Sequence, residues 1–86
     1  MKLIVVIPCF NEEKTLGSVL QSIPKRIPKI NKIETLLVDD GSTDKTLKVA
    51  RKHRVKHFVI HHQNQGLAKS FADGLDEALH LGADII

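Results

Sequence analysis

Tryptophan and tyrosine are absent from the 86 residues of this chain, and phenylalanine occurs only three times. Proteins that grip single-stranded nucleic acid stack bases on aromatic faces set among basic residues, so no nucleic-acid partner is expected despite the net charge of +3. The single cysteine, Cys9, excludes an internal disulfide and suits a reducing compartment. No basic or His residue adjoins Cys9 to lower its pKa, so it reads as a small residue filling space beside Phe10. No apolar run approaches the ~20 residues of a membrane span. The start, Met1 to Ile7, lacks the longer apolar region and cleavage site of a signal peptide, so it reads as a first strand and the expected location is cytoplasmic. Two nucleotide fingerprints are also missing. Neither G-x-G-x-x-G after the first strand nor G-x-x-x-x-G-K-[ST] anywhere is present, which disfavours a dinucleotide Rossmann site and a P-loop.

What is present is the length and pattern of one small α/β domain. A chain of this size buries roughly two-thirds of its unfolded surface around one core. Lys2 to Ile7 is a continuous apolar, β-branched run closed by Pro8. Leu16, Val19, Leu20 and Ile23 then fall on one helical face, with Asn11 as an N-cap, Glu12 and Glu13 at the positive end of the dipole, and Pro24 and Pro28 as stops. Ile33 to Val38 forms a second strand. Ser42 or Thr43 is placed to cap a second helix reaching about His53, with Leu47 and Ala50 inward and Lys45, Lys48, Arg51 and Lys52 outward. Phe58-Val59-Ile60 centres a third strand. A third helix is expected from about Leu67 to Leu81, burying Leu67, Phe71, Leu75, Ala78 and Leu79 and ending at Gly82. Ala83 to Ile86 starts a fourth strand. The order β-α-β-α-β-α-β calls for a parallel sheet with right-handed crossovers.

The stretch Val38-Asp39-Asp40-Gly41-Ser42-Thr43-Asp44 delivers two acids to the carboxyl end of a strand, where parallel α/β sheets bind ligands. Three loops meet at that edge: Pro8 to Glu12, Asp39 to Asp44, and His61 to Gly66. A carboxylate there accepts hydrogen bonds from base N–H or ribose hydroxyl groups, and helix N-termini offer N–H groups to phosphate, so the edge describes a nucleotide site. Simpler readings stand beside this one. Asp39 and Asp40 would also serve a capped turn, Glu13 the helix dipole, Asp44 a helix start and Lys69 a solvated helix face. Asp40 and Asp44 lack calcium-loop spacing. His57, His61 and His62 lack a fourth ligand for zinc and read as surface or loop histidines. Lys25, Arg26, Lys29 and Lys32, with Lys48, Arg51, Lys52, Arg54 and Lys56, read as a solvated face, with an anionic membrane surface as the alternative.

Three segments carry a family resemblance. Val6-Ile7-Pro8-Cys9-Phe10-Asn11-Glu12-Glu13, Val38-Asp39-Asp40-Gly41-Ser42-Thr43-Asp44 and Asn64-Gln65-Gly66-Leu67-Ala68 resemble three successive signatures of family 2 glycosyltransferases, in order and at the family's spacing. The stretch from Gly66 to Ile86 is most similar to the polyprenyl-phosphate, dolichyl-phosphate mannose synthase-like branch. The resemblance implies the Rossmann-like three-layer half of a GT-A fold, with sheet order 3-2-1-4. It implies a nucleotide-diphosphate sugar as donor and a polyprenyl phosphate as one candidate acceptor, with contact to the membrane surface. Carried onto this sequence, it places Pro8, Phe10, Asn11 and Glu12 around base and ribose, Asp40 and Asp39 as acceptors for base or ribose donors, and Gly66 and Lys69 near the diphosphate.

The family's metal-binding D-x-D motif follows the fourth strand, and its base and acceptor site lie further on. Residues 1–86 are therefore expected to be an N-terminal nucleotide-sugar-binding part truncated before that motif. The Mg²⁺ or Mn²⁺ of the intact enzyme would have no ligand here, no catalytic residue is assigned, and the chain alone is expected to be inactive. The competing expectation is a non-catalytic half-domain that pairs with a partner or self-associates through an exposed fourth strand. A receiver-type signalling domain is disfavoured, because its acids follow the first strand and its phosphoacceptor Asp the third.

Overall fold

The computed structural model describes all 86 residues and contains β1 (Lys2–Cys9), α1 (Leu16–Ser22), β2 (Lys32–Asp40), α2 (Thr46–Lys52), β3 (His57–His61) and α3 (Leu67–His80). The three strands are parallel, in the spatial order β1-β2-β3, with Pro8 opposite Val38, Cys9 opposite Asp39 and Asp40 opposite His61. The expected fourth strand is reduced to one parallel bridge between Leu3 and Ile85 on the free edge of β1. That segment is held by Ile4 N–H to Ile85 O at 2.9 Å, Ile85 N–H to Lys2 O at 3.1 Å and Lys2 N–H to the Asp84 carboxylate at 2.7 Å. β1 runs through Pro8, which the sequence pattern takes as its end. At that level β1 has no partner on its far side, and an open edge tolerates a residue without an N–H.

Strand pleating sorts the core into two layers. Cys9, Leu16, Leu37 and Ala50, with Ile7, Leu20, Leu47 and Phe58, fill the face covered by α1 and α2. Ile4, Leu36 and Ala78, with Val6, Val59 and Leu81, fill the face covered by α3. The chain steps outward from β1 to β3 with both crossover helices on one face. It then returns over the other face, so the two directions diverge at β1, the switch point at which such sheets bind ligands.

The face that α3 buries differs from the expected one. Leu67, Phe71 and Leu79 are exposed, while Ser70 and Gly74 are buried beside Ala78, which is buried as expected. A Cβ on Gly74 would lie 2.6 Å from Val6 Cγ1 and 2.9 Å from Val38 Cγ2. Small residues at i, i+4 and i+8 let the helix axis approach the sheet, and the larger residues are displaced to the flanks. In α1, Leu16 is buried but Val19 is exposed.

The helix starts also differ. α1 begins at Leu16 rather than near Asn11, which takes φ 52° and donates its backbone N–H to Ser42 Oγ while its side chain accepts from Thr43 N–H. At α2, Asp44 accepts from the backbone N–H and the hydroxyl of Thr46, in keeping with its reading as a helix-start residue, while Ser42, one of the two expected caps, accepts from Asn11 N–H instead. The loops after β1 and β2 are thus tied to each other before any ligand is considered.

Candidate nucleotide cleft

At the carboxyl ends of β1 and β2 lies a cleft of about 330 Å³, lined by Pro8, Phe10, Glu12, Asp40, Gly66 and Ser70 among others. Five of the eight residues singled out in the sequence, Pro8, Phe10, Glu12, Asp40 and Gly66, meet there. The other three do not line it. Asn11 ties two loops together as described, Asp39 is buried beneath the rim, and Lys69 turns outward to pair with Asp73 at 3.0 Å, one helical turn along.

Asp40 is the best-held group of the cleft. Adjacent strand residues point to opposite faces, so Asp40 shares the α3 face with Leu36 and Val38 while Asp39 shares the other with Leu37. Asp40 Oδ1 accepts from Gln65 N–H at 2.8 Å and lies 2.9 Å from His61 Nδ1, and Oδ2 accepts from Gly66 N–H at 2.9 Å. The Gln65 N–H and the His61 ring, with Gly66 N–H adding to them against burial, hold the Asp40 carboxyl below its ordinary value. A carboxylate has about four acceptor positions, so one remains on Oδ2 for a ligand donor.

His61, expected at the surface, is buried. Its Nε2 lies 2.7 Å from Asp73 Oδ2, so a histidine bridges β2 and α3 through two carboxylates. Hydrogen bonds to Asp40 and then Asp73 raise its pKa, with burial opposing them. This network was missed in the sequence because His61 and Asp73 are twelve residues apart. Only the Lys69–Asp73 pair, at helical spacing, was there to be read.

Glu12 completes the acceptor side of the cleft: its Oε2 accepts from Thr15 Oγ at 2.7 Å, which leaves Oε1 free. Ser70, 1% exposed, lines the cleft with a hydroxyl that has no partner. With two carboxylates and this hydroxyl, the cleft suits a ligand rich in N–H and O–H donors. Burial, followed by the charges of Asp39, Glu12 and Asp44, pushes the Cys9 thiol up to about 12, so it is inert here. Cys9 is expected to resist alkylation at about pH 8 in the folded protein and to react when urea is added. Rapid labelling of the native chain would contradict its burial.

The implied divalent metal does not fit these side chains. No three His, Cys, Asp or Glu side chains converge as a ligand set. Asp40 is already engaged by three donors, Asp44 is taken up by Thr46 and by Glu13 N–H, and Asp39 is sealed at 2% exposure.

A larger groove of about 800 Å³ opens at the opposite end of the sheet, lined by Lys25, Lys32, Arg54 and Lys56 among others. Its one buried carboxylate, Glu34, is committed to Lys56 at 2.7 Å, His57 at 3.0 Å and Lys2 at 3.1 Å. No unpartnered buried polar atom faces that groove, so the smaller cleft is the better candidate despite its size.

These ion pairs set a pH window. Hydrogen bonds from Lys56 and His57 lower the Glu34 pKa from 4.5 to about 2. A depressed carboxylate stabilises fully above its unfolded value and loses that contribution as pH falls toward the folded one. His61 has the opposite sign: its raised pKa gives stability that is complete below 6.5 and is lost as pH rises through the folded value. Thermal melts are therefore expected to be highest between about pH 4.5 and 6.5. A melting temperature that climbs steadily from pH 6 to about 9 would contradict the His61 assignment.

The profile of glycosyl transferase family 2 matches residues 4–80. An uncharacterized protein of Methanocaldococcus jannaschii is 36% identical over 84 residues, covering 92% of this chain and 34% of that protein. The UDP-N-acetylglucosamine–dolichyl-phosphate N-acetylglucosaminyltransferase of Methanococcus voltae is 33% identical over 97 residues, covering 94% of this chain and 37% of the relative. The dodecaprenyl-phosphate galacturonate synthase of Rhizobium johnstonii is 41% identical over 54 residues, covering 62% and 16%. The chain thus spans about a third or less of the length of these relatives. The matched span takes in β2, β3 and most of β1 and holds every residue that lines the cleft, and the chain belongs to glycosyl transferase family 2.

Proposed function

We propose that residues 1–86 form the donor-nucleotide-binding part of a glycosyltransferase that takes a nucleotide-diphosphate sugar. The observation that carries this reading is the convergence of Pro8, Phe10, Glu12, Asp40 and Gly66 on one cleft at the switch point of a parallel sheet. Pro8 and Phe10 offer an apolar wall for a base. Glu12 and the remaining position on Asp40 Oδ2 accept hydrogen bonds from base N–H or ribose hydroxyls, and the unpartnered Ser70 hydroxyl gains a partner. The positive end of α3, 14 residues long, lies at the same rim and favours the diphosphate.

The acceptor is proposed to be a polyprenyl phosphate, which the names of two relatives mention for those proteins. Such an acceptor would bring the protein to a membrane surface, although no helix is long and apolar enough to cross one. The 86 residues alone are proposed to bind nucleotide without transferring sugar, because no metal-ligand set is assembled among them. Calorimetric titration with UDP and with GDP tests the binding. Saturable heat with one of them is expected, and no binding of either would overturn the proposal. Sugar transfer above background by the purified chain would overturn the second part.

A further inference from the structure

We infer that His61 is a positioning residue for the cleft: clamped between Asp40 and Asp73, it holds the Asp40 carboxylate and the 62–66 loop in the arrangement that receives a nucleotide, and loss of its proton loosens both. The inference rests on the nucleotide reading of the cleft and adds a regulator to it.

The geometry leaves few alternatives for the protonation state. His61 Nδ1 lies 2.9 Å from Asp40 Oδ1 and Nε2 lies 2.7 Å from Asp73 Oδ2. An ionised carboxylate only accepts, so both ring nitrogens must donate and the ring is an imidazolium. Its side chain is 7% exposed, so water does little to screen these contacts. The charged groups around it alternate in sign: Asp40 from β2, His61 from β3, then Asp73 and Lys69 from α3. Glu12 stands on the β1 side of the cleft, and His62 is exposed. The hydrogen bonds from Asp40 and Asp73 favour the protonated ring against burial.

Removing the proton turns one ring nitrogen into a lone pair facing a carboxylate. If Nε2 keeps the proton, Asp40 loses one of its three donors. If Nδ1 keeps it, α3 loses its tie to β3 and Asp73, already paired with Lys69, turns toward water. The first case loosens the wall built by Gln65 and Gly66, because their N–H groups are bound to the same Asp40 carboxylate; the second loosens α3, whose N-cap residue Gly66 carries one of those N–H groups.

The test is a pH titration of the full chain by ¹H–¹⁵N spectroscopy. The Gln65 and Gly66 amide signals are expected to follow one titration, shared with the His61 ring, with a midpoint above 6.5. Asp73→Asn should lower that midpoint. Nucleotide affinity of the natural chain should fall roughly five- to tenfold across the midpoint relative to His61→Asn, whose amide still donates to Asp40 but does not titrate. Taking the ratio cancels the titration of the nucleotide's own phosphate. Amides that ignore the His61 titration, a midpoint unmoved by Asp73→Asn, or equal pH dependence in both chains would overturn the inference. If no form binds nucleotide, the nucleotide reading fails, while the amide titration still decides whether His61 clamps the loop. Should His61→Asn not fold, the Asp73→Asn midpoint carries the test.

Discussion

Gly74→Val is expected to destabilise the fold by about 3 kcal/mol, the upper end of the cost of overpacking a close-packed core. Even a single added carbon would sit 2.6 Å from Val6 Cγ1 and 2.9 Å from Val38 Cγ2, two residues on strands that cannot retreat without breaking the sheet register. Gly74→Ala recovers roughly 0.5–1 kcal/mol of helix propensity and should cost less. For a domain of this size, 3 kcal/mol corresponds to a fall in melting temperature of roughly 12–24 °C. Urea and thermal melts check the ranking, with natural chain above Gly74→Ala above Gly74→Val. A Gly74→Val chain as stable as the natural one would mean that α3 does not pack through Ser70, Gly74 and Ala78. The cleft would suffer too, since Ser70 and Gly66 reach it only because α3 lies this close.

Asp40→Ala is expected to lower nucleotide affinity by roughly 10- to 100-fold, the scale of losing a hydrogen bond to a charged group. It should also lower the melting temperature. A residue that served only as a ligand would cost little stability when removed. In the structure, however, the same carboxylate holds Gln65 N–H, Gly66 N–H and the His61 ring, so its removal frees three donors and the loop they belong to. Asp40→Asn separates the two roles in part: the amide oxygen keeps one acceptor, but its NH₂ group faces donors. Both variants should abolish the shared titration of the Gln65 and Gly66 amides. Undiminished nucleotide affinity in Asp40→Ala would remove Asp40 from the site.

Much of this architecture was legible in the sequence, and its failures share a cause. Strand and helix order followed from hydrophobic period, and the three loops that meet at one sheet edge were readable because they follow strands, while Pro8, Phe10, Glu12, Asp40 and Gly66 were singled out within them by the family resemblance. Period-based reading assigns the largest apolar residues to the buried face, so it favoured Leu67, Phe71 and Leu79. Helix-to-sheet proximity instead selected Ser70 and Gly74 beside the expected Ala78, a preference visible only once Val6 and Val38 are in place. Asn11 was read as a cap because its type suits one. Its positive φ and its bond to Thr43 depend on a loop 32 residues away. His61 was misjudged for the same reason, since both of its partners come from other elements. Local chemistry was readable along the chain, and contacts across the sheet were not.

Where a nucleotide binds on this chain is the decisive observation. ¹H–¹⁵N spectra of the labelled chain, recorded during titration with UDP or GDP, measure this directly. The predicted result is saturable shifts confined to Cys9, Phe10, Glu12, Asp40 and Asn64 to Ser70, with roughly 10- to 100-fold more nucleotide needed to reach them in Asp40→Ala. Shifts confined to the basic groove around Lys32, Arg54 and Lys56, or no shifts with either nucleotide, would contradict it.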